Sequence, residues 1–133
     1  MTIEEARAFF QGDRYAMGSG IRLDELTADG AVCSFEIDQR HQNAEGGLMG
    51  GAIFTLIDFT FAVASCSRHR PTVAQQASVS FLNRAKGTKL TARAVCRKDG
   101  RTSCVYNVDV TDDTGRDIAQ AVMTGAKLPP KEA

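Results

Sequence analysis

The sequence predicts an α+β fold in which an antiparallel sheet packs on one long buried helix, and three observations carry that expectation. Residues of alternating polarity recur in runs of strand length: Cys33, Phe35 and Ile37 alternate with Ser34, Glu36 and Asp38, and longer runs fill the C-terminal half. That period of two is the pattern of a half-buried strand. The runs are separated by short turn-like segments such as Asp99-Gly100 and Asp112-Asp113-Thr114-Gly115, which suit tight antiparallel connections. Between the two strand groups lies GGAIFTLIDFTFAVASCSR, residues 50–68. From Ala52 to Cys66 it holds one charge, Asp58, and apolar residues fall on nearly every face.

The elements follow in order. Thr2, with Glu5 three residues later, forms a capping-box pattern, and Ile3, Ala6, Phe9 and Phe10 lie at helical spacing, so a short surface helix is expected over 2–11. A strand around 20–27 turns through Ala28-Asp29-Gly30 into the strand that contains Cys33 and Phe35. The central helix is expected over about 50–68, because a largely apolar run of roughly 15 residues is long for a strand and Gly50-Gly51 suits a helix entry. Leu90, Ala92, Ala94 and Cys96, then Cys104, Tyr106, Val108 and Val110, define two strands, and a last runs from Arg116 to Lys127. With Val73–Leu82 these read as four consecutive antiparallel strands joined mostly by tight turns. Pro129-Pro130-Lys131-Glu132-Ala133 is an exit, and residues 1–133 are expected to form a single domain.

A helix that is apolar all round must be buried all round. One sheet covers one side of it, and almost no chain is left for the other. A second copy of the chain is the economical cover, so a homodimer is expected. The segment falls short of the run of about 20 apolar residues that a membrane span needs. With 16 Lys+Arg against 16 Asp+Glu, the chain lacks the basic excess that nucleic acid or an anionic membrane demands. Neither is expected as a partner. Cys33, Cys66, Cys96 and Cys104 form no C-x-x-C pair and the only histidines are His41 and His69, so no metal site is expected. Acids stand at the N-terminus where a signal peptide needs positive charge, and a reduced cytoplasmic protein is expected.

On a helix, Gly51, Thr55, Asp58, Ala62 and Ser65 share one narrow, small and polar face. Asp58 is then either a core acid satisfied by hydroxyls or an Arg, or a desolvated carboxylate lining a pocket, suited to general-base or nucleophilic work. Gly50 and Gly51 are either a plain Gly-rich turn or an entry where a ligand carbonyl approaches the unpaired N–H groups of the first turn. The second arrangement would be an oxyanion site for acyl transfer.

The stretch His41-Gln42-Asn43-Ala44-Glu45-Gly46-Gly47-Leu48-Met49-Gly50-Gly51, followed by Ala52 to Asp58, resembles the H-x-N-x-x-G-x-x-H-G-G…L-x-D motif. This is the motif of hotdog-fold acyl-CoA thioesterases of the phenylacetate-degradation (PaaI-like) type, and the resemblance covers the chain from about Met17 to Lys127. It implies a hotdog fold: an antiparallel sheet of five to six strands wrapped around a long central helix, here with the short N-terminal helix added. It also implies pairing of two subunits into a continuous sheet, as a homodimer or a dimer of dimers, with active sites at the subunit interface and no cofactor. The substrate would be an acyl-CoA, hydrolysed to free acid and CoA. By the same resemblance, Gly50 would polarise the thioester carbonyl, Asp58 would act from across the dimer as general base or nucleophile, and Asn43 would position the carbonyl or the lytic water. Gly51, His41, Met49 and Asn83 fall beside these positions as substrate-binding residues. Arg84 and Lys86, with Lys89, Arg68 and Arg70, are basic groups for the nucleotide phosphates. Phe54, Phe61 and Phe81 are candidates for the acyl pocket.

Two positions depart from the pattern. The His of H-G-G is Met49, and a thioether cannot donate a hydrogen bond. Phe59 follows Asp58 where some relatives carry Thr. Met49 motivates a second reading, a non-catalytic acyl-CoA binding or sensing protein on the same fold. Hydratase chemistry would want a catalytic His paired with the helix acid, and the spacing of His41 does not resemble that arrangement.

Overall fold

In a computed structural model of the protein, residues 1–130 are described, and Lys131–Ala133, the end of the expected exit, lie outside them. The capping box forms as read: the Thr2 hydroxyl accepts from the Glu5 N–H at 3.1 Å and the Glu5 carboxylate accepts from the Thr2 N–H at 2.9 Å. Helix α1 (Ile3–Phe10) buries Ala6 and Phe10. A second, five-residue helix, α2 (Arg14–Gly18), follows and buries Ala16. Its brevity, less than two turns, hides it from any periodicity reading.

Strands β1 (Arg22–Leu26) and β2 (Gly30–Glu36) form the expected hairpin. A 3₁₀ turn (Gln39–His41) and a glycine-rich loop lead to helix α3 (Gly50–Arg68), whose bounds match the apolar segment. Strands β3 (Thr72–Phe81), β4 (Lys89–Asp99), β5 (Ser103–Asp112) and β6 (Asp117–Lys127) complete a six-stranded antiparallel sheet of order β1-β2-β4-β5-β6-β3. The four consecutive antiparallel strands expected in the C-terminal half are present, and β4, β5 and β6 are hairpin neighbours. β3 pairs with β6 at the far edge, and residues 82–88 carry the chain back across the sheet to β4. That connection is longer than a hairpin loop, and it frees β3 from its neighbour in sequence.

The sheet curls round α3. Leu56, Ile57, Phe61 and Val63 of the helix are fully buried against the inward residues of the sheet, among them Phe35, Leu90, Val108 and Met123. Small residues on the sheet let the helix approach: a Cβ at Gly125 would stand 2.8 Å from the Phe61 ring and 2.9 Å from the Cys104 sulfur. The Phe61 ring meets Tyr106 edge-on at 5.6 Å. At 19 residues α3 is long and apolar enough to cross a membrane, where the sequence reading places it just short. Its packing against β2, β3, β4, β5 and β6 is that of a core helix.

One face of α3 stays open. Gly51 and Asp58 are exposed, Thr55 and Ala62 half-buried, and only Ser65 of the small-polar stripe is buried. β3 is open as well: it offers an unpaired edge, and six consecutive residues, 73–78, are exposed on both faces.

Candidate active site

The residues singled out in the sequence fall into two places. The first is a cleft of about 630 Å³ at the entry of α3, lined by Asn43, Gly47, Gly50, Phe81, Asn83 and Arg84 among others. The glycine-rich loop closes on itself to make one wall. The Asn43 N–H donates to the Gly47 carbonyl at 2.7 Å, and the Asn43 side-chain oxygen accepts from the Glu45 and Gly47 N–H groups, both at 3.0 Å. Gly46 takes φ of +79°, a left-handed turn position where a side chain would be strained. With its oxygen committed to the loop, Asn43 has only its amide N–H₂ to offer a ligand.

His41 anchors the same loop from inside. Its Nδ1 accepts from the Asp38 N–H at 3.0 Å and its Nε2 donates to the Ser19 carbonyl at 2.8 Å, while the ring stacks on Phe35 at 4.2 Å. At 2% exposure it reaches no ligand. This corrects its expected place among substrate-binding groups. The His41 carbonyl in turn accepts from the Met49 N–H at 2.7 Å and so sets where α3 begins.

Met49 is the N-cap of α3 and provides no side-chain cap. Its carbonyl accepts from Ala52 and Ile53 at 3.0 and 3.3 Å, and among the described residues no acceptor meets the N–H groups of Gly50 and Gly51. Those two amides sit at the positive end of the helix dipole, beside the cleft. A Cβ on Gly50 would lie 3.6 Å from the Phe81 ring, in ordinary contact. Met49 and Gly51 are exposed next to the cleft rather than lining it.

The opposite wall is the crossover after β3. The Asn83 side chain donates to the Asp117 carbonyl at 2.8 Å and accepts from Arg116 at 3.3 Å, which ties one end to the start of β6 and the other to the residue before it. Arg84 lines the cleft close to Asn43 and Gly47. Lys86 follows two residues after Arg84, outside the cleft lining. Its backbone N–H, with that of Gly87, donates to the Asp112 carboxylate at 2.8 and 2.9 Å. Asp112 also accepts from Thr114 and the Arg116 N–H, and these hydrogen bonds hold its carboxyl well below the usual carboxylate range. In the sequence Asp112 reads only as a turn residue, yet it fastens the cleft wall to the β5–β6 turn. Arg68, Arg70 and Lys89 lie off the cleft. Arg68, at the other end of α3, pairs with Asp99 at 3.3 Å and is roughly 27 Å from Gly50 along the helix.

The second place is a groove of about 410 Å³ on the open face of α3, lined by Asp58 with Thr55, Phe54, Phe59, Tyr15 and Asp13 among others. Solvent reaches Asp58, but the groove walls thin its hydration. That desolvation, and then the charge of Asp13, raise its pKa. Burial also raises Asp13, whose carboxylate makes no side-chain cap to α2. The α2 residues of this groove carry no sequence signal, because nothing places 13–16 against residue 58 before the chain folds. Gly50 and Asp58 are eight residues apart, which is about 12 Å along a helix. Within one chain they therefore serve different cavities.

A family model described as the thioesterase superfamily matches residues 45–119, a span that runs from the loop through α3 and across most of the sheet. The chain belongs to the thioesterase superfamily. Among its relatives is the acyl-coenzyme A thioesterase PaaI of Escherichia coli, 27% identical over 117 residues, covering 87% of this chain and 84% of that protein. Mouse acyl-coenzyme A thioesterase 13 is 32% identical over 104 residues, covering 75% of this chain and 74% of its own. The solved structure of E. coli PaaI superposes with a TM-score of 0.88 at 24% identity, over 95% of this chain and 92% of that one. The hotdog fold expected from the motif is thus the fold present, and this thioesterase is of the PaaI-like type.

Proposed function

We propose that this thioesterase hydrolyses acyl-CoA thioesters at sites assembled between two copies of the chain, each site joining the Gly50 cleft of one to the Asp58 groove of the other. The observation that carries this is the separation of Gly50 from Asp58 on one helix, with both facing open space. Two further features support it. The exposed edge of β3, ten residues long with one register irregularity between Ala74 and Gln76, has the length to pair with a second β3, and an unpaired edge of this kind calls for a partner. The open face of α3 is the surface such a partner would cover.

In this reading the thioester carbonyl approaches the Gly50 N–H, and the Asn43 amide N–H₂ orients it or the water. Asp58 takes a proton from that water as its oxygen bonds to the carbonyl carbon. The tetrahedral oxyanion rests at the helix N-terminus, where donors and dipole are already aimed. The C–S bond then breaks, and Asp58 returns the proton to the CoA sulfur, leaving free acid and CoA. A raised pKa suits Asp58 to the task, since a stronger base captures the proton more readily. Arg84, with no ion pair among the described residues, is the basic group placed to meet a phosphate at the cleft mouth.

The test is Asp58→Asn, assayed against a panel of aryl and alkyl CoA thioesters. Loss of about 10²–10⁴-fold in kcat on the best substrate is expected, and a variant as fast as wild type would remove Asp58 from the mechanism. Met49 in place of the motif His favours the second reading, a binding protein. Saturable CoA binding by wild type without hydrolysis of any thioester in the panel would establish that reading instead.

A further inference from the structure

The Asp58 groove has a second cavity behind it. This pocket, about 290 Å³, lies between α1, α2, β1 and α3, and its floor is Phe10, Met17, Ile21 and Leu23. Its lining and that of the groove share one residue, Phe59. Phe59 stands about 100° round the helix from Asp58. Its ring therefore turns from the open face toward α1, where it meets Phe10 edge-on at 5.7 Å. Helix α2 completes the partition: Ala16 faces the groove and its neighbour Met17 faces the pocket. The floor residues Phe10, Ile21 and Leu23 are each at most 5% exposed, so the side chains at its base are apolar; its polar lining is Arg7, Gln11, Arg22 and Asp24, with the Arg7 guanidinium donating to the Leu23 carbonyl at 3.0 and 2.8 Å.

We propose that Phe59 determines which acyl groups the enzyme accepts: its ring ends the groove just beyond the reacting carbonyl, restricting the acyl part to a short chain or single ring, and the pocket behind would house the further methylenes of a longer aliphatic chain. This rests on the reading that Asp58 faces the thioester. The geometry makes a directional claim, because removing one side chain joins two preformed cavities. Each pair of methylenes then admitted to an apolar floor raises kcat/KM by up to about tenfold.

The experiment is a chain-length profile, from acetyl-CoA to dodecanoyl-CoA, for wild type, Phe59→Ala and Phe59→Leu. The dodecanoyl-to-butanoyl ratio of kcat/KM is expected to rise at least tenfold in Phe59→Ala and by a smaller factor in Phe59→Leu. Should Phe59→Ala fail to fold, Phe59→Leu carries the test with its smaller increase. An added Met17→Trp, which fills the pocket, should return the ratio towards that of wild type. An unchanged ratio in a folded Phe59 variant overturns the inference. Asp58→Asn, measured alongside, separates the two possible failures. If it stays active, the site reading is wrong. If it is inactive while the Phe59 profile is flat, only the role of Phe59 is.

Discussion

Gly50→Ala separates the two tasks of the helix entry. Gly50 is not among the glycines with positive φ, so alanine can adopt its backbone conformation. The new Cβ would sit 3.6 and 3.7 Å from Phe81 ring carbons, close enough to pack and too far to clash. Replacing glycine by alanine at a compatible position stabilises by about 0.4–1 kcal/mol through the unfolded chain, so the melting temperature should hold or rise by a few degrees. Activity should move the other way. The methyl group occupies the space between the first-turn amides and Phe81, where the proposed mechanism puts the thioester. A displacement of about 1 Å at a reacting centre costs about 10²-fold, which corresponds to about 2.7 kcal/mol of transition-state stabilisation. The assay is release of free thiol from the best CoA substrate, paired with a thermal melt. A loss near 10²-fold in kcat/KM at unchanged or higher stability is expected. Wild-type kcat/KM in a folded Gly50→Ala would mean that the carbonyl does not approach this end of the helix.

Two further outcomes follow from the groove and the core. Desolvation and the Asp13 charge both raise the Asp58 pKa, so in wild type kcat/KM should fall with decreasing pH at a midpoint above that of an ordinary aspartate. In Asp13→Asn that midpoint should move to lower pH while staying above the ordinary value, because desolvation remains; an unmoved limb would show that Asp13 does not act on Asp58. Gly125→Ala should destabilise by about 1–3 kcal/mol in denaturant titration, since its Cβ would press within 2.9 Å of Phe61, Cys104 and Thr72 at once. A neutral result would mean that α3 and the sheet are less tightly packed than these contacts indicate.

The parts legible in the sequence are those whose physics is local. Thr2 and Glu5 announce their capping box because both partners lie within one turn, and the bounds of α3 follow from Gly50-Gly51 and the apolar run after them. The stripe Gly51, Thr55, Asp58 is likewise a matter of spacing on one helix. The position of β3 is not local. Its alternation resembles that of any strand, and only the length of the 82–88 connection hints that it leaves its neighbour for the far edge. Nor does sequence say which groups of a polar side chain are already engaged. Both ring nitrogens of His41 and the oxygen of Asn43 are taken by backbone partners, so a residue read as a ligand is a scaffold and another keeps only its amide donors. Asp13 and Tyr15 share a groove with Asp58, and Asp112 meets the Lys86 and Gly87 N–H groups, across separations in the chain that no local pattern spans.

In the proposed mechanism Gly50 and Asp58 act on one substrate from different copies of the chain. Subunit mixing tests it most directly. Gly50→Ala and Asp58→Asn are each purified with little activity, unfolded together, refolded as an equimolar mixture, and assayed beside the separate variants. A mixed dimer would hold one site with both defects and one with neither, so random assortment should restore about a quarter of wild-type activity. A mixture that forms mixed dimers yet stays as inactive as its parents would contradict the account.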